Sequence, residues 1–135
     1  MTKRRIIIVV AVVMVLALSP FIFLFGINSY HSARERLRRI PFESTSWQDP
    51  KQVDGQDPVR IRMVDELVRS RRLDHQSRAE VEKLLGKPTS TQYFKEYDFV
   101  YWIGPERGFI SIDSEWLVIS LDRNGIVHEY KVVRD

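Results

Sequence analysis

The sequence predicts an α+β protein in which an N-terminal transmembrane helix is followed by a two-layer sandwich of two helices on a three-stranded antiparallel meander. Three observations lead to this prediction. A long apolar run lies near the N-terminus, two segments with apolar residues at helical spacing follow it, and the C-terminal third alternates apolar and polar residues with period two. The order helix, helix, strand, strand, strand favours a helix pair that covers one face of the sheet.

The apolar run from Ile6 to Ile27 is interrupted only by Ser19, Pro20 and Gly26. As a helix, about 22 residues at about 1.5 Å each span roughly 33 Å, which matches the hydrocarbon core of a bilayer. A cleaved signal peptide has a shorter apolar region of about 7 to 15 residues and a small-residue cleavage site. We therefore expect residues 6–27 to stay in the mature protein as a single-pass signal anchor. A kink at Pro20 is a secondary expectation.

The positive charge of the chain is concentrated on the flanks of the apolar run. Residues 1–40 hold seven basic and one acidic side chains, a sum of +6, whereas the remaining 14 basic and 17 acidic side chains sum to −3. This distribution argues against a nucleic-acid partner. The three basic residues of the tail 1–5 abut the run, and the arginines beyond it are displaced by a polar stretch. The numbers of basic residues on the two flanks do not decide the orientation, but the closer position of Arg5 slightly favours a cytoplasmic tail and an exported domain.

The chain contains no cysteine, so it holds no disulfide, thiolate metal site, catalytic thiol or lipid-modified cysteine. Its three histidines, His31, His75 and His128, lack the spacing of metal ligands. Its glycines form no nucleotide-binding pattern. We expect no metal and no cofactor.

Residues 28–56 show no sustained period of 2 or 3.6 and contain several turn-forming residues. This pattern predicts a basic juxtamembrane segment followed by a linker, with the globular domain occupying residues 57–135. Four arginines in the segment could contact anionic lipid head groups, each contributing about 1 kcal/mol near such a surface. The alternative is a solvated helix end above the membrane. The four residues are Arg34, Arg36, Arg38 and Arg39.

Asp57 and Pro58 predict the start of the first helix of the domain, since Asp caps free N–H groups and Pro suits the first helical position. Four apolar residues follow at helical spacing and predict one buried stripe. The arginines around that stripe are interpreted as a solvated face. The stripe consists of Met63, Val64, Leu67 and Val68.

A second helix has sharper boundaries. Ser77 with Glu80 three residues later is a capping box, and Gly86 with Pro88 predicts the end of the helix. Val81, Leu84 and Leu85 form its buried stripe.

After Pro88 the periodicity predicts three strands. The first includes Tyr97 to Ile103, the second Trp116 to Leu121 and the third Ile126 to Val133. Asp122 to Gly125 supplies the hairpin turn between the last two, with a glycine that tolerates positive φ. Phe109, Ile110 and Ile112 lead into the second strand.

Several of these segments resemble the SmpA/OmlA (BamE-like) family over about residues 58 to 134. The resemblance implies a helix, helix, three-strand fold and a non-enzymatic role in binding other envelope proteins or lipid. Two features depart from the family pattern: the acylated cysteine of its lipoproteins is missing, and His75 lies where a glycine often precedes the second helix. The resemblance is carried by Arg62 to Leu67, Ser77 to Pro88, Asp113 to Ile119 and Asp122 to Val127.

The sequence therefore favours a membrane-anchored interaction module of the cell envelope, with the membrane and other envelope proteins as partners. Aromatic residues are enriched at interface hot spots, and a sheet covered on one face leaves the other face open. Tyr101 and Trp102 point to opposite faces, so one of them must face outward or lie under the linker. The candidate interaction residues are Tyr97, Tyr101, Trp102, Arg107 and Trp116.

The alternative is a small-ligand-binding or catalytic domain that uses the carboxylates near Asp113 and Glu115. Paired carboxylates can do acid and base chemistry if one of them is desolvated. Charged residues at strand ends are more often solvated, and Arg107 is expected to pair with Asp113 or Glu115 and to fix the loop. The full cluster is Asp98, Glu106, Arg107, Asp113 and Glu115.

Overall fold

The computed structural model describes residues 2–108 and 111–135. Within these residues one long helix precedes four short helices and an open antiparallel sheet of three strands, as the sequence predicts at the level of fold class. The helices are α1 (Lys3–Arg38), α2 (Ser44–Gln48), α3 (Pro50–Val53), α4 (Val59–Arg69) and α5 (Arg78–Leu85). The strands are β1 (Phe99–Pro105), β2 (Ser114–Leu121) and β3 (Val127–Arg134).

Helix α1 is continuous over 36 residues although Pro20 lies inside it. Proline has no N–H to donate to the carbonyl four residues earlier. The Ser19 hydroxyl donates to that carbonyl, Leu16 O, at 3.2 Å, and so replaces part of the missing interaction. The helix is long and apolar enough to cross a membrane, a property that membrane anchors and signal sequences share.

The segment 28–56 differs from the linker that the sequence suggested. Helix α1 continues through its first part, and α2 and α3 follow after a short break. Phe42 and Trp47 are 6% and 0% exposed and pack in the main core. The Phe42 N–H donates to Glu66 Oε2 at 2.9 Å, which ties the segment to α4. The globular unit therefore includes these residues and does not begin at residue 57.

Helix α4 buries Met63, Val64 and Leu67 and half-buries Val68, in agreement with the predicted stripe. Its start differs from the prediction. Pro58 is the N-cap residue, no side chain caps the helix, and the Asp57 carboxylate pairs with Arg38 instead.

Helix α5 begins with the predicted capping box: the Ser77 side chain accepts from Glu80 N–H, and the Glu80 side chain accepts from Ser77 N–H. It ends at Gly86, whose φ of 75° favours glycine. Helix α2 satisfies the carbonyls at this end, because the Ser44 hydroxyl and the Gln48 amide both donate to Leu84 O, at 2.6 and 3.1 Å.

The sheet has the order β1-β2-β3, the predicted antiparallel meander. Its inner face packs against the helices through Phe99, Tyr101 and Ile103 of β1 and through neighbouring residues of β2. The Asp122 carboxylate accepts from the N–H groups of Asn124 and Ile126, at 2.8 and 3.0 Å, and stabilises the predicted hairpin turn. Phe109 and Ile110, expected to lead into β2, lie outside the described residues.

Candidate functional site

The outer face of the sheet carries a second, smaller apolar cluster, which we call the outer aromatic face. Trp102 of β1 lies opposite Trp116 of β2, and Trp116 lies opposite Val133 of β3. Side chains alternate along a strand, so these three point away from the helices. The cluster consists of Val100, Trp116 and Val118, which are buried, with Phe94, Tyr97, Trp102 and Val133 packed against them.

The segment before β1 covers part of this face. Thr89 holds it along the edge of β1, because its N–H donates to Val100 O at 2.8 Å and its hydroxyl accepts from Trp102 N–H at 3.0 Å. The rings of Tyr93 and Phe94 then pack on Trp116, with centroids 5.7 and 6.2 Å away. Phe94 adopts a φ of 55°, which is an unfavourable conformation for a bulky residue. The contact of its ring with Trp116 stabilises this conformation.

The accessible part of the outer aromatic face is formed by residues at its border. Tyr93 is 55% exposed, whereas Trp116 is only 7% exposed. Tyr97 and Trp102 are half-buried. The Lys131 ammonium lies 5.6 Å from the Tyr97 ring centroid, within range of a cation–π interaction. This border presents aromatic edges and one cation to solvent.

Tyr101 is not an interaction residue of this surface. It is fully buried on the inner face, and its hydroxyl donates to Gly86 O at 2.8 Å. Its ring packs between Trp47 and Phe99, with centroids 6.5 and 6.3 Å away. The strand alternation that separates Tyr101 from Trp102 is therefore confirmed, with Trp102 as the outer residue.

Arg107 lies away from the outer aromatic face, in an ion-pair network at one end of the sheet. Its guanidinium contacts Glu115 at 2.8 Å and Asp65 of α4 at 3.0 Å. Its backbone N–H also donates to Glu115 Oε1 at 3.1 Å. Burial disfavours the charged form of Arg107, but the hydrogen bonds and charges of Glu115 and Asp65 outweigh that cost and raise its pKa. The predicted structural pairing with Glu115 is confirmed.

The structure divides the predicted carboxylate cluster. Glu115, only 1% exposed, and Glu106 lie together, and each contacts an arginine. Asp113 is exposed, and its backbone carbonyl accepts from Glu106 N–H at 2.8 Å. Asp98 lies at the other end of the sheet, where its carboxylate contacts Arg78 at 2.8 Å and accepts from Leu121 N–H. The arrangement thus provides salt bridges between elements at two separate places.

The four juxtamembrane arginines fall into two pairs. Arg38 contacts Asp57, and Arg39 contacts Asp65 with an N–O distance of 2.7 Å. Arg34 and Arg36 are exposed on α1. All four arginines are therefore exposed, and two of them also make ion pairs with the domain.

The sequence interpretation missed Arg60, which is 7% exposed. Its Nε donates to Trp47 O at 3.0 Å, and its Nη1 donates to Trp102 O at 3.1 Å. The guanidinium carbon lies 5.1 and 5.8 Å from the ring centroids of Trp47 and Tyr101. Burial lowers the pKa of Arg60 to about 10. The signal was present, because residue 60 precedes Val64 and Leu67 by four and seven positions and so lies on the buried stripe.

Among residues 2–108 and 111–135, no group of three or more His, Asp or Glu side chains is arranged to hold a metal ion. Comparison with known proteins gave no match to a family model, a curated protein or a solved structure.

Proposed function

We propose that this protein is a membrane-anchored, non-enzymatic interaction module of the cell envelope, which assists the assembly or maintenance of other envelope proteins. Helix α1 is the retained single-pass anchor, and the outer aromatic face is the surface that contacts the partner. The observation that carries the proposal is the aromatic border of that face, left open on the side of the sheet opposite the helices.

The physical support is the composition of the surface. Tyr93, Tyr97 and Trp102 offer large rings that lose little conformational entropy on binding, and Lys131 adds one charge at the edge. Anchoring in the membrane restricts the search for a partner to two dimensions and raises the effective concentration. A weak surface can therefore act when it is held next to its partner.

The proposed location of the domain and the proposed class of its partners rest on the sequence. The resemblance to the SmpA/OmlA (BamE-like) family spans α4 to β3 and supports a binding role that needs no cofactor. That resemblance, with the basic tail next to the apolar run, supports an exported domain in the cell membrane. The acidic balance of residues 41–135 supports protein or lipid partners over nucleic acid.

Two neighbouring substitutions test the proposal in membranes. Trp102→Ala should weaken partner capture by at least about 1 kcal/mol if Trp102 is a hot spot, because it removes exposed ring area. Its effect on stability should be small, since part of the ring is already in solvent. Tyr101→Ala should instead cost about 3 to 5 kcal/mol of folding free energy, because it leaves a cavity in the core.

The measurements are photocrosslinking from position 93 in native membranes and thermal melting of the purified full-length variants. A photocrosslinker at Asn124, in the hairpin at the far end of the sheet, is the control. The proposal fails if Trp102→Ala leaves every crosslinked partner bound. A change at Asp113 or Glu115 that abolishes a measurable turnover would favour the catalytic alternative.

A further inference from the structure

A cavity of about 300 Å³ lies where the end of α1, the start of α4 and the end of β1 meet, and we call it the Arg62 cavity. Glu35 and Arg62 contribute charged groups to its lining, and Ile61 and Pro105 contribute apolar ones. A water molecule occupies about 30 Å³ in the liquid, so the cavity holds roughly ten groups of that size, about the number of non-hydrogen atoms in leucine. The volume therefore suits a ligand of the size of one amino acid.

Most charged side chains around the Arg62 cavity already have partners. Arg38 pairs with Asp57. Glu106 pairs with Arg134, and Arg107 belongs to the ion-pair network at the end of the sheet. These side chains hold the surrounding elements together, and their charges are compensated without a ligand.

The two charged side chains that remain are Glu35 and Arg62. Both are half-buried, and within residues 2–108 and 111–135 neither makes an ion pair or a side-chain hydrogen bond. The Nε of Arg62 is buried and has no hydrogen-bond partner. Because buried polar groups are normally hydrogen-bonded, an unpaired N–H of a residue that lines a cavity indicates an acceptor from outside the chain. An unpaired carboxylate lines the same cavity.

These two groups select the chemistry of the ligand. A guanidinium presents its N–H groups in a planar fork that matches a carboxylate, and a carboxylate accepts hydrogen bonds from an ammonium group. A simple anion would leave Glu35 unpaired, and a simple cation would leave Arg62 unpaired. A molecule that carries one carboxylate and one ammonium group satisfies both side chains.

We propose that the Arg62 cavity binds a free α-amino acid with an apolar side chain. The carboxylate of the ligand accepts hydrogen bonds from Arg62, including one from Nε, and its ammonium group donates to Glu35. Its side chain packs against Ile61 and Pro105. A terminal residue of a peptide carries only one of the two charges and so fits less well. The site lies apart from the outer aromatic face and adds ligand binding to the proposed contact with a partner.

Competition for radiolabelled leucine on the full-length protein in detergent tests this assignment. Leucine carries both charges, leucinamide lacks the carboxylate, and N-acetylleucine lacks the ammonium group. Unlabelled leucine should displace the label at a concentration at least about tenfold lower than either analogue, because each analogue leaves one charged side chain unpaired.

Two substitutions assign the two charges. Arg62→Gln should lower the affinity for leucine at least about tenfold and remove the advantage of leucine over leucinamide. Glu35→Gln should instead remove its advantage over N-acetylleucine. Arg36→Gln, an exposed change on α1, should leave the displacement by all three compounds unaltered, and thermal melting verifies that the variants fold.

Absence of saturable leucine binding up to about 10 mM would overturn the assignment. So would equal displacement by the three compounds, since the cavity would then not recognise both charges. A third contradiction would be lower melting temperatures of Glu35→Gln and Arg62→Gln with unchanged leucine binding, because the two side chains would then stabilise the fold without holding a ligand. Partner capture is measured separately, so the failure of this assignment is distinguishable from a failure of the outer aromatic face.

Discussion

Arg60 shows how a single charged residue is accommodated in the core of this small domain. The guanidinium stacks near Trp47 and Tyr101 and donates to two backbone carbonyls, while no carboxylate hydrogen-bonds to it among the described residues. Aromatic faces and carbonyl oxygens both attract a cation and compensate part of its desolvation. Arg60 also links α2, α4 and β1, because its partners belong to the two other elements. The residue therefore acts as a polar crosslink inside an apolar layer.

We expect Arg60→Ala to destabilise the domain by about 3 kcal/mol, because it empties the space between two rings and leaves two buried carbonyls unpaired. Arg60→Met should recover about half of that loss, since its side chain refills the space without donating. Arg69→Ala, an exposed change on the same helix, should stay within about 0.5 kcal/mol of wild type. Chemical denaturation of the three variants measures these differences, and equal stability of Arg60→Ala and Arg69→Ala would disprove the role.

At the scale of elements, α2 is the piece that joins the N-terminal segment to the domain. It has five residues, yet it buries Trp47 and donates hydrogen bonds to the end of α5. Glu43 caps it by accepting from Ser46 N–H at 2.9 Å and from the hydroxyls of Thr45 and Ser46. The hydrogen bonds, first those from the side chains of Ser46 and Thr45, lower the pKa of Glu43 to about 2.

This cap predicts a pH dependence. A carboxyl whose folded pKa lies below its unfolded value of 4.5 stabilises the fold fully above pH 4.5, and the contribution is lost as the pH falls toward 2. Glu43→Gln should melt a few degrees below wild type at pH 7, and the gap should narrow between pH 4.5 and 2. Glu96→Gln, at an exposed site without an ion pair among the described residues, is the control. A gap that stays constant over this range would exclude the cap as its cause.

Local signals in the sequence explain which elements could be predicted. The capping box of α5, the alternation in β1 to β3 and the Asp122 turn are each encoded within a few neighbouring residues. Helix α2 has no such signal, because a five-residue helix with one buried side chain shows no periodicity. The Asp57 carboxylate fits a cap locally, but it pairs with Arg38, nineteen positions away. For the candidate surface, face alternation predicted only that Tyr101 and Trp102 lie on opposite faces. Which of the two is the outer residue, and the covering by Tyr93 and Phe94, depend on tertiary contacts.

The contribution of α2 predicts where a soluble fragment must begin. A fragment of residues 39–135 should fold, whereas residues 57–135 should not, because the shorter one lacks Phe42 and Trp47. Loss of a buried aromatic ring costs about 3 to 5 kcal/mol, and a small domain has only about 5 to 15 kcal/mol in total. Near-UV circular dichroism and amide chemical-shift dispersion distinguish the two, with Trp47→Ala in the longer fragment as an intermediate case. A cooperative transition in the shorter fragment would contradict the prediction.

At the scale of the whole molecule, only Arg39 separates the end of α1 from the first backbone hydrogen bond to α4. Helix α1 ends at Arg38, and Ile40 N–H already donates to Arg62 O of α4 at 3.1 Å. Ion pairs from Arg38 to Asp57 and from Arg39 to Asp65 add two further connections. The domain is therefore held against the end of the helix at several points.

We expect the mature protein to keep residues 6–27, because the apolar run is too long for the hydrophobic region of a signal peptide. Intact-mass measurement of protein extracted from membranes should give the full chain, with or without the initiator methionine. Carbonate washing should leave it in the membrane fraction. A mature N-terminus after residue 27 would show that α1 is a cleaved signal sequence instead.

As the proposed membrane anchor, the uninterrupted helix α1 would set both the height of the domain above the bilayer and the direction in which the domain faces. Each residue of an α-helix turns the chain by about 100° and raises it by about 1.5 Å. The direction in the membrane plane toward which the outer aromatic face points would then depend on the rotation of α1 about its own axis. If a transmembrane helix of another protein packed on one side of α1, the outer aromatic face would point toward the extramembrane part of that protein. If the same helix packed on the opposite side of α1, the outer aromatic face would point away from that protein.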